Sequence, residues 1–271
     1  MPRPLPHVVA GVAGLTVVLA VTGWSALASS ALTPPPPAGV AVVAAPTASA
    51  TGASHPPATP ATPAARAPAP PPAPPSGPAA AGPPVVSVEW LQRTAAVTGV
   101  PARALQAYAV AATVSAAEDP GCGLAWPTLA AIGWVESHHG TIGGRTLDER
   151  SGRPSSPVVG VALSGAGVAL VADSDDGTLD GDAALDRAVG PMQFIPSTWA
   201  RWNSDADDDG LRDPQDLDDA ALSAARYLCA SGADLGSAEG WAAALLSYNR
   251  STVYVQQVTT TANAYATRSR G

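Results

Sequence analysis

The spacing of apolar residues along the chain predicts a mainly helical domain in its C-terminal two thirds. In several segments apolar side chains recur every three to four positions, the period that places them on one face of a helix. The first of these begins at Pro101, and Leu105, Tyr108 and Ala112 share its apolar face. The pattern predicts helices over 101–118, 128–138, 220–231, 239–249 and 251–267, and a short helix opened by Pro196. Several helices with little strand pattern indicate the mainly α class.

Residues 141–188 lack the helical period and are rich in Gly, Ser and Asp, so we expect mostly loop there. A short apolar stretch at Pro157–Ala172 predicts a hairpin within this loop. For the helix over 220–231, Asp218 or Asp219 is the expected N-terminal cap, because an Asp side chain can accept hydrogen bonds from free backbone N–H groups.

The first 86 residues differ from the rest in composition. Val8–Ala28 is an apolar run without charge that ends in an A-x-A pattern, so residues 1–32 are predicted to be a cleaved signal peptide or a retained membrane anchor. Residues 33–86 hold most of the 29 prolines and are predicted to be a disordered Pro/Ala-rich linker, acting as a spacer or as a docking motif for aromatic grooves. The folded domain is expected over 87–271, outside the cytoplasm in the cell envelope.

Composition also excludes some classes of function. All 14 basic residues are Arg, which excludes chemistry that needs a lysine, such as that of P-loop ATPases and Schiff-base enzymes. The net charge of −8 argues against nucleic-acid binding, because nucleic-acid-binding domains normally carry a basic face. We expect no organic cofactor.

The two cysteines, Cys122 and Cys229, are most simply one disulfide in an exported domain. It would close a loop of about 107 residues. A zinc site would need more ligands than these two residues supply. A catalytic thiol would need a His and an Asn beside it, and no such companions are evident.

One carboxylate occupies an unusual position for a charged group. Of the five Glu residues, Glu136 alone lies within an apolar helix, where it shares a face with Leu129 and Ile132. Burial would disfavour its charged form and raise its pKa, which is what a general acid requires. The alternative is a buried Glu that only forms hydrogen bonds.

Three sequence blocks, Trp134–Gly140, Gly190–Trp199 and Ser247–Asn249, resemble the signature blocks of lytic transglycosylases. They occur in the family's order and are most similar to the membrane-bound lytic murein transglycosylase B family. The most specific is Gly-Pro-Met-Gln-Phe-x-Pro-Ser-x-Trp in the second block. The resemblance covers the chain from about Pro101 to Tyr265.

The resemblance implies a lysozyme-like α-helical fold, peptidoglycan glycan strands as the substrate, and Glu136 as the single acid and base. The family cleaves the strand at N-acetylmuramic acid without water and leaves a 1,6-anhydro end. The implied substrate-binding residues are Ser137, Met192, Gln193, Phe194, Tyr248 and Asn249. Core packing is the alternative for Met192, and anchoring of a helix end is the alternative for Tyr248.

The segment that starts at Asp205 is acidic and begins as an EF-hand loop does. It has the pattern D-x-D-x-D-G, with Gly210 at the sixth position. Some members of the resembled family carry a calcium loop at this place, so we expect a structural Ca²⁺ ion. The expected ligands are Asp205, Asp207, Asp209, Leu211, Asp213 and Asp216. Asp216 stands where a full loop has Glu, and a solvated acidic loop is the alternative.

Two other functions remain open at this stage. A hydrolytic muramidase would use Glu136 with a water held by Asp180 or Asp182. A non-catalytic peptidoglycan-binding module would keep the groove without the reaction. The pair His138 and His139 does not predict a metal site, because adjacent helical residues point about 100° apart.

Overall fold

The computed structural model describes residues 84–165, 168–231 and 234–270. The predicted export segment (1–32) and all but the last three residues of the predicted linker (33–86) lie outside this range. Within it, no helix is both long enough and apolar enough to cross a bilayer.

The described residues form a mainly helical domain with one small sheet. Its helices are α1 (Val88–Thr98), α2 (Ala102–Glu118), α3 (Trp126–Ser137), α4 (Pro196–Trp202), α5 (Leu217–Cys229), α6 (Ala238–Tyr248) and α7 (Thr252–Arg268). The strands are β1 (Val159–Ala162) and β2 (Arg187–Val189), and a 3₁₀ turn lies at Ile142–Gly144.

Six of these helices lie where the apolar period predicts them, and α1 was not predicted. Its ends are fixed by local signals: the Ser87 side chain accepts from the N–H of Trp90, and Gly99 closes the helix in the left-handed region at φ 79°. The expected cap of α5 was wrong by two residues. Asp216 caps that helix by accepting from the N–H of Asp218, so α5 begins at Leu217.

The predicted hairpin within 157–172 forms only in part. β1 pairs antiparallel with β2, with Val159 opposite Val189 and Ala162 opposite Arg187. Within the predicted hairpin, Ser164 and Leu170 form an isolated antiparallel bridge. The N–H groups of Val171 and Gly165 also donate to the carbonyl oxygens of Leu163 and Ala169. The apolar pattern identified a strand but could not identify its partner, which lies 25 residues away along the chain.

The core lies where α2 packs on α3 and α5, and where α3 packs on α7. Leu105, Leu129, Ile132 and Leu228 are fully buried there. The disulfide between Cys122 and Cys229 joins the loop after α2 to the end of α5, with the two Cα atoms 5.3 Å apart. The predicted disulfide is therefore present in the structure, and neither cysteine is a free thiol.

A tight turn connects β2 to α4. Backbone hydrogen bonds in both directions join Val189 and Phe194 and close the turn. Gly190 has φ 77°, and a Cβ at this position would collide with the carbonyl oxygen of Pro214. Glycine is required here because it adopts a positive φ readily and has no Cβ that could collide. The turn places the second sequence block beside the end of α3.

Candidate active site

Helix α3 carries Glu136 to the wall of a cleft. The helix is mostly buried, and Glu136 lies half-buried in its last turn. The chain leaves α3 through His138 and His139, which both adopt left-handed backbone conformations. The carboxylate is therefore held at the end of a rigid, buried element.

The environment of Glu136 favours its protonated form. Burial raises the pKa of its carboxyl group to about 7, and the negative end of the α3 dipole acts in the same direction. The Tyr254 hydroxyl opposes this rise in pKa. That hydroxyl is buried and makes no hydrogen bond of standard geometry with the described residues, so its effect is that of a nearby polar group. Glu136 can therefore hold a proton near neutral pH and release it.

The cleft has a volume of about 320 Å³ and mostly apolar or uncharged walls. Glu136 is the only carboxylate and Arg250 the only cation among its lining residues. The walls come from the β1 region, the turn after β2, the start of α4, α5 and the connection between α6 and α7. The lining residues are Glu136, Gly160, Val161, Leu163, Ala169, Ala188, Gln193, Phe194, Ile195, Thr198, Tyr227, Ser247, Tyr248, Asn249, Arg250 and Ser251.

Four of the predicted substrate-binding residues line this cleft: Gln193, Phe194, Tyr248 and Asn249. The amide nitrogen of Gln193 donates to the carbonyl oxygen of Gly190 at 3.0 Å, which holds the side chain in place. The Tyr248 hydroxyl donates to the carbonyl oxygen of Met192 at 2.8 Å. Tyr248 thus both lines the cleft and anchors the end of α6 to the turn after β2.

The structure places the other two predicted residues, Ser137 and Met192, in the core. Both side chains are fully buried and neither lines the cleft. The Ser137 hydroxyl donates to the Pro191 carbonyl oxygen at 2.6 Å and accepts from the N–H of Gly140 at 2.7 Å. The Ser137 hydrogen bonds join α3 to the turn after β2, and both side chains lie in the core.

A buried histidine stabilises the end of α3. Nδ1 of His139 lies 3.1 Å from the Tyr108 hydroxyl and Nε2 lies 3.2 Å from the Tyr265 hydroxyl. Burial lowers the pKa of His139 to about 3, so the ring is neutral at physiological pH. His138 stacks on Trp134, with ring centroids 4.3 Å apart. The His139 ring thus ties the end of α3 to α2 and α7, whereas His138 packs on its own helix.

Two relevant residues were missed by sequence reasoning. Tyr254 lies within the helix predicted over 251–267 but was not assigned to the site, and Arg250 precedes that helix. A signal was available for both: they flank the start of α7, directly after the Tyr248–Asn249 pair. Because α7 begins directly after these site residues, its first turn lies beside the cleft.

The acidic loop lies between α4 and α5 and brings several predicted ligands together. Carboxylate oxygens of Asp205, Asp207 and Asp209 lie within 4.8 Å of one another, and oxygens of Asp207 and Asp216 do so in a neighbouring group with Asp218. Asp213 instead pairs with Arg153. Leu211 is exposed at the loop surface.

The two aspartates expected to hold a water in a hydrolytic mechanism, Asp180 and Asp182, are not among the described residues that line the cleft. Asp180 and Asp182 line a separate open depression, which shares only Gly160 with the cleft. Asp182 forms an ion pair with Arg187 at 2.9 Å. Asp180 accepts the backbone N–H of Arg187 at 2.5 Å. Both carboxylates are therefore engaged away from Glu136.

Comparison with known families adds an independent finding. Residues 177–245 match the family model of the transglycosylase SLT domain, whereas no curated protein matches the chain. The matched segment includes β2, the turn after it, α4, α5 and most of α6, and Glu136 precedes it. The domain of this family is lysozyme-like, in agreement with the helices that surround the cleft. The match over 177–245 thus supports a lytic transglycosylase that acts on peptidoglycan.

Proposed function

We propose that this protein cleaves the β-1,4 bond between N-acetylmuramic acid and N-acetylglucosamine with Glu136 as its only acid and base, leaving a 1,6-anhydro end. The observation that carries the proposal is that Glu136 is the single carboxylate among the cleft's lining residues. Hydrolytic glycosidases generally use two carboxylates on opposite sides of the bond. A cleft with one carboxylate suits a reaction in which the sugar supplies its own nucleophile.

The reaction would proceed in two proton transfers. Protonated Glu136 donates its proton to the bridging oxygen as the bond to C1 breaks. The resulting carboxylate then removes the proton from the C6 hydroxyl of the muramic acid, whose oxygen forms the new bond to C1. Protons balance over the cycle, and Glu136 ends protonated. A pKa near 7 serves both steps, because the group is neither too weak an acid nor too weak a base.

Masses of the products test the proposal. Purified peptidoglycan is digested with the full chain and the new reducing-side ends are weighed by mass spectrometry. Ends lighter than hydrolytic ends by one water, about 18 Da, are expected for a one-carboxylate cyclisation. Ends that carry the added water would replace the proposal with a muramidase. Binding without cleavage would favour a scaffold module.

The pH dependence of cleavage provides a prediction about Tyr254. The rate is expected to fall as pH rises above about 7, because the acid must be protonated before it can donate. Tyr254→Phe removes the hydroxyl that lowers the pKa of Glu136, so the alkaline limb of kcat/KM should move to higher pH. Tyr227→Phe is the control, since its hydroxyl donates to the Ser247 carbonyl oxygen. An alkaline limb that does not move in Tyr254→Phe would contradict this role.

A structural Ca²⁺ ion in the acidic loop is a further proposal. The donor set fits a hard cation, because carboxylate oxygens of Asp205, Asp207 and Asp209 cluster within 4.8 Å and Asp216 approaches Asp207. Oδ1 of Asp205 is buried without a hydrogen-bond partner among the described residues. Burial and neighbouring acids raise the pKa of Asp216 to about 6. A bound cation would neutralise these crowded charges and brace the start of α5.

The calcium proposal predicts a rise in melting temperature. At a Ca²⁺ concentration of a hundred times Kd, binding should stabilise the domain by about 2.7 kcal/mol, or several degrees. Asp207→Asn should abolish the rise, whereas Asp208→Asn in the same loop should retain it, because Asp208 is not at a ligand position. A melting curve of the wild type that Ca²⁺ does not shift would contradict the site.

We also propose that the reaction takes place outside the cytoplasm and that the protein belongs to one branch of the lytic transglycosylases. The apolar run at 8–28 would export the chain, either as a cleaved signal or as a membrane tether, and a linker up to residue 86 would let the domain reach the wall. The predicted disulfide is consistent with an oxidising compartment. The order of the three sequence blocks supports the membrane-bound lytic murein transglycosylase B branch.

A further inference from the structure

Arg250 is a cation that lines the cleft and has no hydrogen-bond or ion-pair partner among the described residues. It follows Asn249, lines the same cleft as Glu136 and is exposed. No hydrogen bond or ion pair of the described residues involves its guanidinium group. Its charge is nevertheless close enough to the Tyr227 hydroxyl, on the cleft wall, to lower that group's pKa against the effect of burial.

Some described arginines are paired with carboxylates, whereas Arg250, like Arg93 and Arg150, forms no ion pair; of these three, Arg250 alone lines the cleft. Arg103, Arg153, Arg187 and Arg226 each form an ion pair with a carboxylate. The chain has 22 acidic residues against 14 arginines, so carboxylate partners are abundant. A guanidinium group left unpaired at the cleft is therefore available to a ligand.

The surroundings of Arg250 strengthen its attraction for an anion. Apart from Glu136, the lining residues of the cleft carry no charged group, and walls of Val161, Leu163 and Phe194 are apolar. A charge in a cleft with apolar walls acts over a longer range than one on an open surface. Glu136, largely protonated below its pKa, does not neutralise it there.

We infer that Arg250 binds a carboxylate carried by the muramic acid substituent of the glycan strand and so selects strands that bear this charge. The inference rests on the proposed function. N-acetylglucosamine is neutral, whereas each muramic acid has a lactyl group that ends in a free carboxylate or in a stem peptide with carboxylates of its own. The planar guanidinium group suits a carboxylate because two parallel N–H groups can donate to its two oxygens. Arg250 thereby acts as a specificity-determining residue beside the acid.

Binding to inactive protein tests this assignment. Full-length Glu136→Gln is compared with Glu136→Gln/Arg250→Gln by calorimetry on soluble strands. Three ligands are used: strands with stem peptides, strands stripped of peptides, and the same strands with every carboxylate converted to an amide. Loss of Arg250 should weaken binding of a carboxylate-bearing ligand by about ten- to a hundredfold and leave binding of the amidated strands unchanged.

The ligands distinguish the two sources of the carboxylate. Weakening on peptide-bearing strands alone assigns the stem-peptide carboxylate, and weakening on stripped strands alone assigns the lactyl carboxylate. Arg250→Lys should restore part of the affinity because it restores the charge without the planar fork. Arg93→Gln, which removes one exposed positive charge on α1, is the matched control and should bind as the parent does.

Two results would overturn the inference: equal weakening on amidated strands, or no weakening on any ligand. Cleavage by the wild type is measured separately on the same strands. A wild type that binds through Arg250 without cleaving would refute the proposed function and leave the carboxylate site intact. A wild type that cleaves, with an Arg250→Gln variant that binds every strand as tightly, would refute the carboxylate site alone.

Discussion

Glu136→Gln is expected to lower the rate of strand cleavage by about a thousandfold or more. The amide has nearly the same shape as the carboxyl group, but it cannot donate the proton to the bridging oxygen and cannot remove the proton from the C6 hydroxyl. Because no other carboxylate is among the described residues that line the cleft, none of these residues can take over either step. The rate is measured as release of soluble fragments from purified peptidoglycan.

The same variant should be at least as stable as the wild type. The folded-state pKa of Glu136 is raised, so its stabilising protonated form is fully present below the unfolded-state pKa and is lost as pH rises through about 7. Gln does not titrate, so the advantage of the variant in free energy of unfolding should grow as pH rises from the unfolded-state pKa of about 4.3 to about 7 and should level off above it. Glu239→Gln, on the exposed first turn of α6, is the control and should change neither quantity. Substantial cleavage by Glu136→Gln would show that another group is the acid.

Removal of the disulfide is expected to have the largest effect on stability. Cys122→Ser with Cys229→Ser should lower the free energy of unfolding by about 4–5 kcal/mol, because the bond closes a loop with a sequence separation of 107 residues. In this model the effect arises mainly in the unfolded chain, which gains conformational freedom when the link is absent. Denaturant unfolding under oxidising conditions measures the difference.

The activity of the double variant separates stability from catalysis. Neither cysteine lines the cleft, so the folded fraction should cleave strands at close to the wild-type rate at low temperature. A reductant should destabilise the wild type by a similar amount and leave the double variant unchanged. If the free energies of unfolding of the wild type and the double variant agree within about 1 kcal/mol, the disulfide contributes little to stability.

The sequence predicted much of the helical framework because local signals determine it. The apolar period located helices α2 and α3, and the prolines at 101 and 196 marked the starts of α2 and α4. Glu136 could be identified from sequence for a physical reason: a charge on an otherwise apolar helix face requires a function or a partner. The disulfide was predictable because only two cysteines exist.

The remaining features depend on contacts between distant parts of the chain. The partner of β1 is set by the turn at Gly190, whose conformation an apolar pattern does not reveal. Ser137 and Met192 belong to the signature blocks, yet their side chains are consumed by packing between α3 and that turn. Tyr254 and Arg250 reach the site only because α7 starts beside the cleft. Comparison of the sequence blocks identifies residues that belong to the family's signatures, but it does not show which of their side chains face the ligand.

Digestion of purified peptidoglycan in water enriched in ¹⁸O tests the central claim most directly. A cyclisation that uses the C6 hydroxyl takes no oxygen from solvent, so new ends formed by the wild type should contain no ¹⁸O. A hydrolytic reaction would place one solvent oxygen at C1 of each new end. Ends free of ¹⁸O, absent with Glu136→Gln, would establish the one-carboxylate mechanism. Ends that carry one ¹⁸O would contradict it and would require a second group that activates water.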